Sequence, residues 1–187
     1  GDKDQLPSVG AGNVLADIIH SGVIEIRYLT HIYRQSQDSL IVSNAHLINK
    51  CQMPEINNQS KDFFFSSMSD FQQIADTVVQ MVTTRLPKFT GLPASEIQVL
   101  GALKSGVAGV ENLNKMLQEQ LNPRVYGKNE YVVGKNVFRV GDKVMQTVNN
   151  YDLPYVFKND KGQIEEGQGV FNGDIGVITS ISRTDGR

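Results

Sequence analysis

The sequence predicts an α/β chain: a parallel sheet with crossover helices, followed by a small β-barrel. Three observations carry this. Apolar segments at residues 23–29, 63–65 and 96–103 read as strands alternating with helical segments, and that order implies parallel strands joined through helices. The stretches SDFQQIADTVVQMVTTRL and VENLNKMLQEQLNP place apolar residues at helical spacing. From about Gly127 the chain turns into short alternating segments broken by Gly-Asp and Asn-Gly turns.

The elements follow in order. GDKDQLPSVGAG is a turn-rich loop. Asn13 then caps a short helix whose stripe is Val14, Leu15, Ile18 and Ile19, and Gly22 stops it. VIEIRYL alternates as a strand. RQSQDSLIVSNAHLINK is helical, with Leu40, Ile41, Ala45, Leu47 and Ile48 recurring at three and four residues. Phe63, Phe64 and Phe65 form a short strand. The next helix takes Ser69 as its cap, with Gln72 three residues on as in a capping box. EIQVLGAL is a strand of the buried, continuous kind. The loop KSGVAG then leads into a helix ended by Pro123. YVVGKNVFRVGDKVMQTVNNYD and GVFNGDIGVITSIS read as an SH3-like module with a long hairpin excursion between them.

Composition narrows the class. The chain has 187 residues, 40% of them apolar, enough for a core and unlike a disordered chain. Its net charge of −2 argues against a general basic coat for nucleic acid, while leaving room for local basic grooves. The single Cys51 excludes an intrachain disulfide and fits a reducing, cytoplasmic setting. No apolar run approaches the roughly 18–20 residues of a membrane span. The N-terminus does not read as a signal peptide.

Four stretches could carry chemistry. In GDKDQLPSVG, Gln5 has a neutral amide able to donate to a phosphate oxygen while accepting from a water; the plain alternative is a turn in which Asp4 bonds its own backbone. In IYRQSQDS, Arg34 opens a helix after a strand and could reach a phosphate bidentately, or could simply pair with Asp38 one turn on. QVLGALKSGVAG ends a strand at a helix start with a cation, Lys104, beside Ser105. It lacks the GxxxxGK[ST] order, so a DNA-backbone contact and a plain turn both stay open there. Gly141-Asp142 and Asn172-Gly173-Asp174 read first as hairpin turns. A functional reading sets Lys143, Gln146, Asn149 and Asn172 against a nucleic-acid backbone. His20, His31 and His46 show no metal-ligand spacing, so no metal site is expected.

The series GDKDQLPSVGAGNVLADII, LTHIYRQSQDSLIVSNAHLIN, QVLGALKSGVAGVENLNKMLQEQLNP, FRVGDKVMQTVNNYD and VFNGDIGVI resembles the RecD-like superfamily 1 DNA helicases, which include the exonuclease V alpha subunit. The resemblance implies a partial RecA-like domain of the P-loop NTPase type and an SH3-like insertion. Residues 1–29 would close a first motor domain, 30–126 form part of a second, and 127–187 be the insertion. It implies that Gln5, beside Asp4 in the helicase motif III stretch, senses the γ-phosphate, and that Arg34 in motif IV reaches ATP from the second motor domain. Lys104, Ser105, Lys143, Gln146, Asn149 and Asn172 would lie along single-stranded DNA. Gly101-Ala102-Leu103 departs from the Pro-Met usual in the family.

The GxxxxGK[ST] loop and the Asp-Glu pair for Mg²⁺ do not occur in these residues. The resemblance therefore implies a segment of a helicase whose full-length parent uses ATP and Mg²⁺, with no cofactor bound by this segment alone. It also implies single-stranded DNA and other exonuclease subunits as partners, and no membrane. Two further readings remain: a non-enzymatic α/β and SH3-like module binding nucleic acid or protein, and an inactive helicase-like scaffold.

Overall fold

Helix signals in the sequence act locally. In the computed structural model, which describes residues 2, 3, 5, 10–29, 39–127 and 129–182, helix α1 (Val14–Ser21) begins where Asn13 Oδ1 accepts from the Ala16 N–H at 3.5 Å. Asp17 returns a bond to the Asn13 N–H at 3.2 Å. The helix ends at Gly22, whose φ of 65° is the left-handed stop that glycine adopts without strain. Both ends match the sequence expectation.

The chain divides into two compact units, residues 1–67 and 68–187. In the first, α2 (Leu40–Asn49) is capped twice. Ser39 Oγ accepts from the Val42 N–H, and the Asp62 carboxylate accepts from the Leu40 N–H at 3.2 Å and from the Ser39 hydroxyl at 2.5 Å. Asn44, 1% exposed, anchors the following loop. Its amide donates to the Glu55 carbonyl at 2.9 Å and accepts from the Glu55 N–H at 2.7 Å, so both polar atoms are satisfied in place of water.

In the second unit, α3 (Phe71–Gln80) runs through a π turn at Met81–Arg85 into α4 (Leu86–Thr90). Asp70, not Ser69, is the cap: its carboxylate accepts from the Gln73 N–H at 2.7 Å. Pro87 has no N–H for the carbonyl four residues back, and just before it the Leu86 N–H reaches five residues back, to Met81. Gly91 closes α4 at φ 73°. Ala75 and Val82 on this rod and Leu113 on α5 (Val110–Leu121) are the buried apolar residues of the described chain.

The β part holds three antiparallel pairs: β1 (Glu130–Val133) with β2 (Asn136–Arg139), β3 (Lys143–Met145) with β6 (Ile175–Val177), and β4 (Asn150–Lys158) with β5 (Ile164–Val170). The Asn-Gly-Asp turn is present, but neither it nor Gly141-Asp142 closes the expected hairpin, because each joins strands that pair elsewhere. The Asp174 N–H returns to the Phe171 carbonyl at 3.0 Å, and Gly173 takes φ 99°. The pair β4–β5 is the long hairpin excursion, turning through Asn159–Gln163.

The parallel sheet is a correction. Residues 23–29, 63–65 and 96–103 are described and none is paired as a strand. At the triple phenylalanine, side chains take the groups a neighbouring strand would use. Asn58 bonds both the N–H and the carbonyl of Phe65, at 2.6 and 2.8 Å, and the Ser60 hydroxyl does the same for Phe63, at 2.8 and 2.7 Å. The other two segments keep the residue types of buried strands but not the burial. Leu29 is fully exposed and Leu100 is 90% exposed. The described chain is therefore a mixed α/β molecule with a helical N-terminal part and a small antiparallel β region, without the expected parallel sheet.

Candidate nucleic-acid interface

The loop before α5 is closed on itself. The first N–H groups of the helix do not face outward: Val110 donates to the Leu103 carbonyl at 2.9 Å and Glu111 to the Lys104 carbonyl at 3.0 Å. A helix start offers an anion its unpaired N–H groups, and here the loop has taken them. Gly109 makes this possible, since a β-carbon there would stand 2.5 Å from the Ser105 carbonyl. What the loop presents is its exposed Lys104 and Ser105 side chains.

Of the residues expected along a nucleic-acid backbone, Lys143, Gln146 and Asn149 have side chains held by internal bonds. Lys143 Nζ donates to the Ser95 carbonyl at 2.7 Å. Gln146 Nε2 donates to the Val148 carbonyl at 2.7 Å, and its backbone bonds Gly173 and Asp174 across the sheet end. Asn149 joins Asn172: its Oδ1 accepts from the Asn172 N–H at 2.8 Å while its Nδ2 donates to the Tyr151 hydroxyl at 3.1 Å. The fold thus brings Gln146, Asn149 and Asn172 together at the base of the β4–β5 ribbon. Lys143 starts β3, and Gln146 follows directly after that strand ends at Met145. Gln5 is described and donates to the Asp2 carboxylate at 3.2 Å. Asp4 and Arg34 lie outside the described residues.

The polar centre of this region was missed in the sequence. Arg139, 6% exposed, donates to Glu119 Oε1 and Glu130 Oε1, each at 2.6 Å, and to the Asn122 carbonyl at 3.1 Å. Its guanidinium is held charged above all by Glu119, then by Glu130, against the cost of burial. Beside it, the buried Asp142 carboxylate accepts from Gln118 and Asn122 at 2.6 Å each and from the Arg139 N–H at 2.7 Å. Gly141-Asp142 is the expected turn, with the Asp142 N–H on the Arg139 carbonyl at 3.0 Å, but its side chain also grips the end of α5. The available signals were a lone arginine ending the apolar Val137-Phe138 of β2 and the polar Gln118, Glu119, Gln120 and Asn122 closing an amphipathic helix.

This network makes α5 part of the β region. The SH3 domain of ATP-dependent RecD-like DNA helicases matches residues 113–187, beginning inside that helix. Residues 113–187 are thus similar to a RecD-like helicase SH3 domain. The chain as a whole is 27% identical, over 184 residues, to the ATP-dependent RecD2 DNA helicase of Deinococcus radiodurans. The match covers 96% of this chain and 24% of that relative, so the chain spans about a quarter of its length. It is a distant relative of the RecD-like helicases, and the resemblance read in the motifs is upheld. The match begins at Leu113, inside the helix that Arg139 and Asp142 bond through Glu119, Gln118 and Asn122.

Among the described residues no His, Cys, Asp and Glu group could hold a metal ion. No helix among them is long and apolar enough to cross a membrane.

Proposed function

We propose that this chain is the region of an ATP-dependent DNA helicase in which part of the second motor domain, residues 30–126, leads into the SH3 insertion, with residues 1–29 belonging to the first motor domain. The observation supporting this reading is the 27% identity to an ATP-dependent DNA helicase in a match that extends over 96% of the chain. In this reading Gln5 and Arg34 face the nucleotide from the two motor domains. Lys104, Ser105, Lys143, Gln146, Asn149 and Asn172 face single-stranded DNA.

The described residues alone do not fit ATP. The α5 N–H groups are bonded within their loop, and the Gln5 amide bonds Asp2. A nucleotide needs a phosphate loop and metal ligands from a further segment. The 187-residue chain is accordingly expected to show no DNA-stimulated ATP turnover. In a parent helicase carrying that loop, Arg34→Ala is expected to lower turnover by about 10³-fold or more while DNA binding holds. Undiminished turnover would remove Arg34 from the site, and turnover by the chain alone would sink the reading.

A second reading, a non-enzymatic binding module, draws on the internal engagement of Lys143, Gln146 and Asn149. The sequence upstream in the parent gene separates the two: an intact phosphate loop and Asp-Glu pair belong to a motor.

A further inference from the structure

The β4–β5 ribbon exposes every residue of β4 and carries an aromatic face. Tyr155 and Phe157, 44% and 43% exposed, alternate onto one side, their ring centroids 5.9 Å apart. Two features shape this face. Opposite Tyr155 stands Gly167, where a β-carbon would overlap the tyrosine ring, so the ring lies down on the ribbon. Opposite Phe157 stands Glu165, so a carboxylate shares the face with the rings. The Asn159 amide holds that carboxylate at 2.6 Å.

A ring face beside a carboxylate is the chemistry that receives a cationic side chain: the ring attracts the cation through its quadrupole and the carboxylate pairs with it. The charge of the whole ribbon agrees. Residues 150–170 contain Asp152, Asp160, Glu165 and Glu166 against Lys158 and Lys161, a net charge of −2 that repels phosphates. Addition of a further strand at the edge is disfavoured by Pro154, which has no N–H to donate, and by the charged Asp152 and Lys158. We infer that the aromatic face of this ribbon docks an apolar protein segment bearing arginine or lysine, with the cation between the Tyr155–Phe157 rings and Glu165. This does not rest on the helicase reading.

The test uses the purified chain and three labelled probes followed by fluorescence anisotropy: a short peptide alternating arginine and leucine, the same peptide with glutamate for arginine, and oligothymidine. The arginine peptide should bind and the glutamate peptide should not. Phe157→Ala and Glu165→Gln should each weaken binding by about two- to fivefold. Glu166→Gln, on the opposite face, should leave it unchanged. Because β4 is exposed throughout, the circular dichroism of these variants should match the parent chain. The inference is overturned by absent binding of the arginine peptide, or by equal losses from Glu165→Gln and Glu166→Gln, which mean diffuse charge attraction. Oligothymidine binding that falls with Phe157→Ala also overturns it, and makes the ribbon a base-stacking strip.

Discussion

At Asp142 and Arg139 two buried charges sit side by side, and each is tied to α5. Taking charge out of water is costly unless hydrogen bonds replace hydration. Here Asp142 receives three donors and Arg139 reaches two carboxylates and a carbonyl. Removing one member leaves the others stranded. Arg139→Ala is expected to destabilise the chain by about 2–3 kcal/mol in urea unfolding, less than a fully buried pair loses because Glu119 reaches solvent. A loss near zero would show that the network does not hold helix and strands together. Asp62 acts differently because it is exposed. The Ser39 hydroxyl, and then backbone N–H groups at the start of α2, hold its carboxyl below the ordinary 3.8. A depressed carboxyl stabilises the fold above its unfolded value and loses that contribution as pH falls through the folded one. Asp62→Asn should therefore flatten the decline of unfolding midpoint below about pH 4 and change its slope little near neutrality. An identical acid limb in the variant would contradict this role. These residue-scale contacts were hidden in the sequence. Asn44 reads as one polar residue within a helical stripe, and nothing in its spacing points to Glu55.

Among the elements, helix ends were the most legible, because a cap and its partner lie within one turn. Asn13 and Gly22 show this at α1. The shift from Ser69 to Asp70 at α3 shows its limit: two adjacent residues both suit a cap, and one position decides. The turns at Gly141-Asp142 and Asn172-Gly173 were legible for the same reason, but their pairing was not: they join β2 to β3 and β5 to β6, strands that do not pair with each other. The π turn was not, because its signal is Pro87, which also reads as an ordinary first-turn proline of α4. The closed loop before α5 gives an element-scale prediction. Gly109→Ala places a β-carbon on the Ser105 backbone, which cannot move without releasing the bonds to Leu103 and Lys104. A loss of about 1–3 kcal/mol is expected by thermal or urea unfolding. The control Gly162→Ala has open space around it but a φ of 77°, so it reports backbone strain alone. Equal losses at the two sites would mean that the close approach at Gly109 carries no weight.

Across the whole molecule, the α/β class and the order of its parts could be read from the sequence, but the sheet could not. A strand in a parallel sheet is defined by neighbours on both sides, often far along the chain. VIEIRYL and EIQVLGAL have the residues of such strands, yet in the described chain they meet no partner strand, and none of their apolar side chains is fully buried. Phe63 and Phe65 took a local substitute, the Ser60 and Asn58 side chains. The SH3 domain was legible because its ladders are antiparallel and two of them close through turns written in the sequence. Its dependence on α5 was not, since Arg139 and Glu119 lie 20 residues apart and follow no period.

Helix α5 has one further consequence. It runs for 12 residues, about 18 Å. At one end it is locked to the Lys104 loop by backbone bonds, and at the other to the strands through Arg139 and Asp142. A rod clamped at both ends behaves as a crankshaft: a load on the loop has little slack to absorb it, and reaches the base of the β strands as torque.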